Sequence, residues 1–115
     1  MFQKTVLIEC AGAANTIYLP VPYPCTLLKA RWTANADPGA NKTVVLSKSG
    51  GNTIISGDVS ATPGQVVTGT LTATVADQRQ AMDETTPLKL VITLSNPAKI
   101  GLVLDLDPFK QNPEA

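Results

Sequence analysis

The sequence contains no histidine. Histidine is the commonest general base in enzymes and the commonest metal ligand, so its absence removes the usual starting point for both kinds of site. The chain also lacks a glycine-rich phosphate loop, a Gly-x-Ser-x-Gly motif and a cysteine pair at zinc-binding spacing. The sequence therefore predicts that the protein is not an enzyme, and that it has no catalytic residue, no cofactor and no metal site.

Charge is scarce as well, because charged residues make up 16% of the 115 residues and nine basic residues balance nine acidic ones. The lysines and arginines are scattered, so no basic cluster is present to bind nucleic acid. The apolar run at residues 6–8 is followed by Glu9 and is too short for an export signal or a membrane span. We expect synthesis in the cytoplasm, no nucleic-acid or membrane partner, and a weakly charged surface suited to docking or self-association.

Cysteine is limited to Cys10 and Cys25. One pair of cysteines does not make a disulfide scaffold, and a buried free cysteine commonly behaves as a small apolar side chain. The sequence favours two free structural thiols, with a disulfide between them as the alternative.

Threonine, valine, proline and glycine dominate what is present, and these residue types favour strands and turns. In QVVTGTLTATV, residues 65–75, a polar or small residue recurs at nearly every second position. This alternation predicts one strand with a wet face and a dry face. By its phase, the inward-pointing residues are Val67, Gly69, Leu71, Ala73 and Val75.

Seven further segments have strand character and are separated by turn signals such as Asp-Pro-Gly at residues 37–39. One helical turn is allowed, within residues 76–87. Eight short strands without crossover helices predict an all-β fold, a single antiparallel β-sandwich in residues 1–115 with 108–115 as a C-terminal tail. The strand count favours a jelly-roll-like sandwich, and an immunoglobulin-like sandwich is the alternative. The predicted strands span residues 4–9, 16–20, 26–34, 42–48, 53–56, 65–75, 88–95 and 99–107.

The few aromatic residues provide the candidate interface residues: Phe2, Tyr18, Tyr23 and Phe109. The tyrosines flank a proline-rich link and are expected at a surface rim. The phenylalanines lie near the two ends of the chain, outside the predicted strands, and are candidate anchors into a neighbouring subunit. The alternative is that they cover the ends of the sandwich.

The long strand at residues 26–34 is expected to have two different faces. Its phase puts Trp32 in the core with Leu28 and Ala30, whereas Lys29, Arg31 and Thr33 share the opposite face.

Asp105 and Asp107 alternate with leucines, so both are expected on one side of the last strand. Such a pair could bind calcium or act as an acid and a base. We favour a solvated outer face on an edge strand, where charge blocks unwanted strand pairing.

Five segments together have a recognisable pattern: NTIYLPVPYPCTLLKARWTA (15–34), ADPGANKTVVLSKSGG (36–51), NTIISGDVS (52–60), TPLKLVITLS (86–95) and IGLVLDLDPF (100–109). This pattern, over residues 5–109, resembles the small β-sandwich decoration proteins of tailed bacteriophage heads, also called cement or staple proteins. The resemblance implies a structural protein of the virion that binds the outer capsid surface and bridges subunits of the major capsid protein. It also implies a homo-oligomer, a dimer or alternatively a trimer.

A different class of function stays open beside this one. A carbohydrate- or receptor-binding β-sandwich of a phage tail or spike would have the same fold, and Tyr18 and Tyr23 would then be the candidate binding residues.

Overall fold

A computed structural model describes residues 2–21, 24–71, 82 and 85–108. All the regular secondary structure in these ranges is β, and no helix long and apolar enough to cross a membrane occurs in them. The described strands are β1 (Phe2–Cys10), β2 (Ala14–Leu19), β3 (Cys25–Ala34), β4 (Lys42–Lys48), β5 (Thr53–Asp58), β6 (Val67–Thr68), β7 (Thr70–Leu71), β8 (Leu88–Leu94) and β9 (Ala98–Pro108).

The strands form two antiparallel sheets that pack together, so the predicted β-sandwich is confirmed. Sheet A has the strand order β1-β9-β3-β6, and sheet B has the order β2-β8-β4-β5-β7.

The strand pairing is that of a long ribbon folded once and then rolled up. From the β4–β5 hairpin outwards, β3 pairs with β6, β2 with β8 and β1 with β9. Rolling places β9 beside β3 and β8 beside β4. Nested pairs distributed over two sheets are the arrangement of a jelly roll, whereas an immunoglobulin sandwich has a different strand order.

The core is built from alternating strand positions, as the sequence predicts. The inward residues of β8 (Leu88, Leu90, Ile92 and Leu94) are all buried. Trp32 is also buried, and its indole N–H donates a hydrogen bond of 3.1 Å to the backbone oxygen of Asp58.

The single strand predicted for residues 65–75 is wrong, because β6 belongs to sheet A and β7 to sheet B. Gly69 lies between them, and its N–H donates a 2.9 Å hydrogen bond to the backbone oxygen of Ala30. Leu71, expected to point inward, is 43% exposed because β7 is an edge strand. The predicted positions of Ala73 and Val75, and most of the helical turn allowed within residues 76–87, lie outside the described residues.

The predicted orientation of Leu28 is also wrong. A bulge between Leu27 and Lys29 interrupts the pairing of β3 with β9. One extra residue reverses the phase of a strand, so Leu27 is buried and Leu28 is 45% exposed. Beyond the bulge, Trp32 points inward as predicted.

Cys10 and Cys25 are free and buried, which confirms the thiol prediction. Burial raises the pKa of both thiols above the ordinary value of 9.0. As the pH rises, the thiols of the unfolded chain therefore lose their protons at a lower pH than the thiols of the native protein do. The stability contributed by the protonated thiols is complete below about pH 9 and is lost progressively above it.

The buried thiols give a chemical prediction. We expect Cys10 and Cys25 to react with a disulfide reagent at about pH 8 at least about a hundredfold more slowly in the native protein than in urea, because reaction requires local opening. The absorbance of the released thiolate measures both rates. Equal rates in the two conditions would contradict the burial of the thiols.

Candidate interaction surface

The outer side of sheet A exposes several large apolar side chains, unlike an ordinary sheet face in contact with solvent. We call its outward-facing side chains, together with Val66 just before β6, face A. Strand register aligns these side chains in rows: Gln3–Asp105–Lys29, then Thr5–Val103–Arg31–Thr68, then Leu7–Gly101–Thr33, and finally Glu9–Lys99.

Face A exposes large apolar side chains. Leu7 is 74% exposed and Val66 is 60% exposed. Leu28, at the bulge of the same sheet, is exposed as well. Single exposed apolar residues are common, but several on one sheet are a feature of surfaces that bind a partner.

A hollow of about 240 Å³ opens on face A above Gly101. Its walls include the side chains of Arg31, Thr33, Val66 and Val103. A second open hollow of about 500 Å³ borders Leu7 and Lys99 and also includes Gly101. Because Gly101 has no side chain, the backbone of β9 forms the floor where the two hollows meet.

Some charged side chains on face A have a polar partner, and others have none among the described residues. The Glu9 carboxylate lies 3.6 Å from the Lys99 ammonium, and Asp105 accepts a 2.9 Å hydrogen bond from Gln3 Nε2. Arg31 Nε is buried without a hydrogen-bond partner. Within the described ranges, no ion pair involves Arg31 or Lys29. Asp105 lies opposite Lys29 in the register, and Asp107 shares its outward phase, so acidic and basic residues are equal in number on this side of sheet A.

The expected setting of Asp105, on a solvated edge strand, is wrong. The strand β9 lies between β1 and β3 in the interior of sheet A. Asp105 is only 8% exposed, because neighbours on both sides cover it, and Gln3 supplies its hydrogen bond. Asp107 is exposed. The part of the chain that the structure describes contains no group of three or more potential acidic, cysteine or histidine metal ligands.

The outer side of sheet B, which we call face B, is rich in threonine. Thr16, Val91, Val45, Ser56 and Thr70 form one continuous row across its five strands. Tyr18 lies on the next row beside Lys89 and is 55% exposed, as expected for a surface residue.

Of the other three predicted interface residues, only Phe2 lies within the described residues. Phe2 is the first residue of β1 and pairs with Leu106, so the expectation that it lies outside the strands is wrong. Tyr23 and Phe109 lie outside the described residues. Phe2 and Tyr18 belong to strands of different sheets.

Sequence reasoning missed the residues that distinguish face A: Leu7, Val66 and Gly101. One signal was available, because Leu7 alternates with Val6 and Ile8 and shares the outward phase of Thr5 and Glu9. Val66 and Gly101 have no such local signal.

A scan of the chain against models of known protein families gives no match, and a search of curated protein sequences finds no significant relative.

Proposed function

We propose that this protein binds the outer surface of a tailed-bacteriophage capsid, contacts the major capsid protein and bridges neighbouring subunits, so that the head is stabilised. In this proposal the protein is a homo-oligomeric, structural component of the virion and performs no chemistry.

The observation that carries the proposal is face A. It combines exposed leucine and valine with an arginine whose buried Nε has no hydrogen-bond partner. Arginine and apolar side chains on a stiff support are typical of protein-binding surfaces. Face B lies on the opposite side of the same sandwich and offers a second surface, which a bridging protein needs.

Bridging converts weak contacts into stability. A copy that binds only when two capsid subunits are held side by side stabilises the assembled state by mass action. An oligomer attached at several points gains further, because each later contact forms at a high effective concentration.

The test uses purified protein and expanded capsids of the phage whose genome carries the gene. We expect saturable co-sedimentation with the capsids and a higher temperature of capsid disruption, measured by release of the packaged DNA. Leu7→Asp places a charge among the apolar groups of face A and should weaken binding by about tenfold or more. Ala40→Asp, at an exposed loop position, is the matched control and should bind as the wild type does. Saturating occupancy without any gain in capsid stability would contradict the proposal.

Tyr18 supports a second candidate function, carbohydrate binding by a tail or spike protein. Its ring is exposed on face B, where a sugar could stack on it. A glycan array would then show a specific ligand that Tyr18→Ala no longer binds, and an array without any ligand would exclude this candidate.

A further inference from the structure

We propose that two copies of this protein pair through the open edge of β1, antiparallel and about a two-fold axis at Leu7, so that sheet A continues from one copy into the other. The inference goes beyond the proposed function, because it identifies the contact between copies and holds whether or not the protein binds capsids. The observation that carries it is an edge strand of nine residues without the usual protection against strand pairing.

The strand β1 lies at the edge of sheet A, and among the described residues it pairs with β9 alone. Its register with β9 is continuous from Phe2 to Cys10, without a bulge, and the strand contains no proline. Proteins protect such an edge with a bulge, a proline, charged side chains at the centre of the strand or a very short strand. The centre of β1 is instead the apolar run Val6, Leu7 and Ile8, and Leu7 is 74% exposed.

The other edge strands among the described residues are shorter. The strands β6 and β7 have two residues each and lie on either side of Gly69, where the chain itself connects the two sheets. The strand β2 has six residues, and the Asn15 side chain near its beginning donates hydrogen bonds to the backbone oxygens of Ala11 and Ala13. Pro20 follows the end of β2. Of these edges, β1 is therefore the one best suited to receive another strand.

The hydrogen bonds of β9 show which backbone groups of β1 point outward. The N–H of Asn35 donates a 3.1 Å hydrogen bond to the backbone oxygen of Lys99, so the backbone of Lys99 faces β3. Successive residues of a strand direct their backbone groups to opposite neighbours, so Ile100 faces β1. Ile100 lies opposite Ile8, and these two residues therefore form a hydrogen-bonded pair.

The same alternation directs the backbone N–H and C=O groups of Thr5, Leu7 and Glu9 to the open edge. The side chains of these residues are exposed on face A. A row of backbone donors and acceptors at strand spacing is complementary to another extended chain. The chemistry of the edge therefore selects a β-strand as its occupant.

The residue types around Leu7 select a second copy as the source of that strand. They are nearly symmetric about Leu7, since Val6 and Ile8 are both β-branched and aliphatic. One position further out, Thr5 and Glu9 are both polar. A two-fold axis requires that a surface match itself, and these residues meet that requirement. Leu7 then lies opposite the partner's Leu7, and Val6 lies opposite the partner's Ile8, which are stabilising apolar pairs.

The charges near the edge do not oppose this pairing. Glu9 lies opposite the partner's Thr5. Lys4 lies opposite the partner's Cys10, so no two like charges face each other across the axis. The contact consists of backbone groups and apolar side chains, and the equal numbers of acidic and basic residues on face A do not enter it. Edge pairing extends sheet A in its own plane, so the rest of face A stays open to a further partner.

The first experiment measures self-association by sedimentation velocity over a range of protein concentrations. We expect the wild type to form a dimer. Leu7→Lys places two ammonium groups opposite each other on the axis and should weaken the dimer by about tenfold or more. The substitution should leave the fold intact, because Leu7 is exposed. Val66→Lys is the matched control and should dimerise as the wild type does, because it adds the same charge at an exposed position of face A outside β1.

A wild type that stays monomeric up to its solubility limit, or that forms a trimer, would overturn the inference. A dimer that Leu7→Lys leaves unchanged would overturn it as well. If Val66→Lys dissociates the dimer as strongly as Leu7→Lys, the copies meet through the outer side of sheet A and the inference is wrong. None of these measurements uses capsids, so the inference and the proposed function can fail independently.

Disulfide cross-linking tests the position of the axis. Hydrogen-bonded residues opposite each other in an antiparallel pair have Cα atoms about 5.5 Å apart, within the range of a disulfide. Under mild oxidation, Leu7→Cys should therefore form a covalent dimer. Thr5→Cys is the matched control and should not, because an axis at Leu7 separates the two copies of residue 5 by about 14 Å. The wild type gives the background, since Cys10 and Cys25 are buried. Cross-linking of Thr5→Cys, or its absence in Leu7→Cys, would overturn the inference.

Discussion

Replacing Gly69 by alanine is expected to lower the free energy of unfolding by about 2–3 kcal/mol, because it overpacks the core. A β-carbon at this position would lie 2.7 Å from Trp32 Cη2 and would also overlap Ile55 Cγ2. Neither neighbour can move freely, since both are buried. Urea denaturation followed by tryptophan fluorescence measures the effect.

Two other glycines supply the matched comparison. At Gly57 a new β-carbon would lie 3.0 Å from Trp32 Cζ2, so Gly57→Ala should cost less than Gly69→Ala. At Gly101 the nearest atom would be 3.6 Å away, an ordinary contact, and Gly101→Ala should change stability by no more than about 0.5 kcal/mol. If the three substitutions cost the same, close packing around Trp32 is not the cause.

Replacing Trp32 by alanine is expected to cost about 3–5 kcal/mol, the range for removing a large buried aromatic side chain. The indole is only 1% exposed, lies against the two glycines, and donates to the backbone of Asp58. Because the total stability of a small domain is about 5–15 kcal/mol, the variant should unfold at markedly lower urea. Circular dichroism measures this transition, since the fluorescent group is lost.

Trp32→Phe is the control for this prediction and should cost less, since it keeps an aromatic ring but loses the hydrogen bond. It also removes the ring atoms nearest Gly69, so Gly69→Ala should be less costly in the Trp32→Phe background by about 1 kcal/mol or more. Strict additivity of the two substitutions would argue that Trp32 and Gly69 do not compete for the same space.

The fold class follows from local patterns in the sequence. In β8, the strict alternation from Leu88 to Leu94 predicts both the strand and the side of it that is buried. The turn residues predict where the strands end. Because each strand must bury one side, a chain with no helical pattern has few choices beyond two packed sheets.

The failures occur where partners distant in sequence decide the outcome. The exposure of Leu28 depends on a bulge in the pairing of β3 with β9, and nothing in residues 25–34 alone reveals that bulge. The crossing at Gly69 depends on the indole of Trp32, which leaves no room for a side chain. Alternation continues smoothly through Gly69, so the sequence gives one strand where the fold has two.

Face A could be anticipated only in part. The alternation of residues in the sequence predicts that Arg31 and Thr33 point outward, and the same holds for Leu7. Their assembly around Gly101 requires β1 and β3 to flank β9, which is a property of the rolled topology. A lone glycine in a strand gives no sign that its neighbours make it the floor of a hollow.

The pairing of β1 with β9 constrains when this protein can acquire its structure. Gln3 finds its partner Asp105 at a separation of 102 residues, and β9, an interior strand of sheet A, follows all the other described strands along the chain. While the carboxyl-terminal segment is still inside the ribosome, β1 has no neighbour and β3 lacks its principal one. Completion of the sandwich must therefore wait until β9 has left the ribosome, and until then the earlier strands of sheet A lack the partner that joins them.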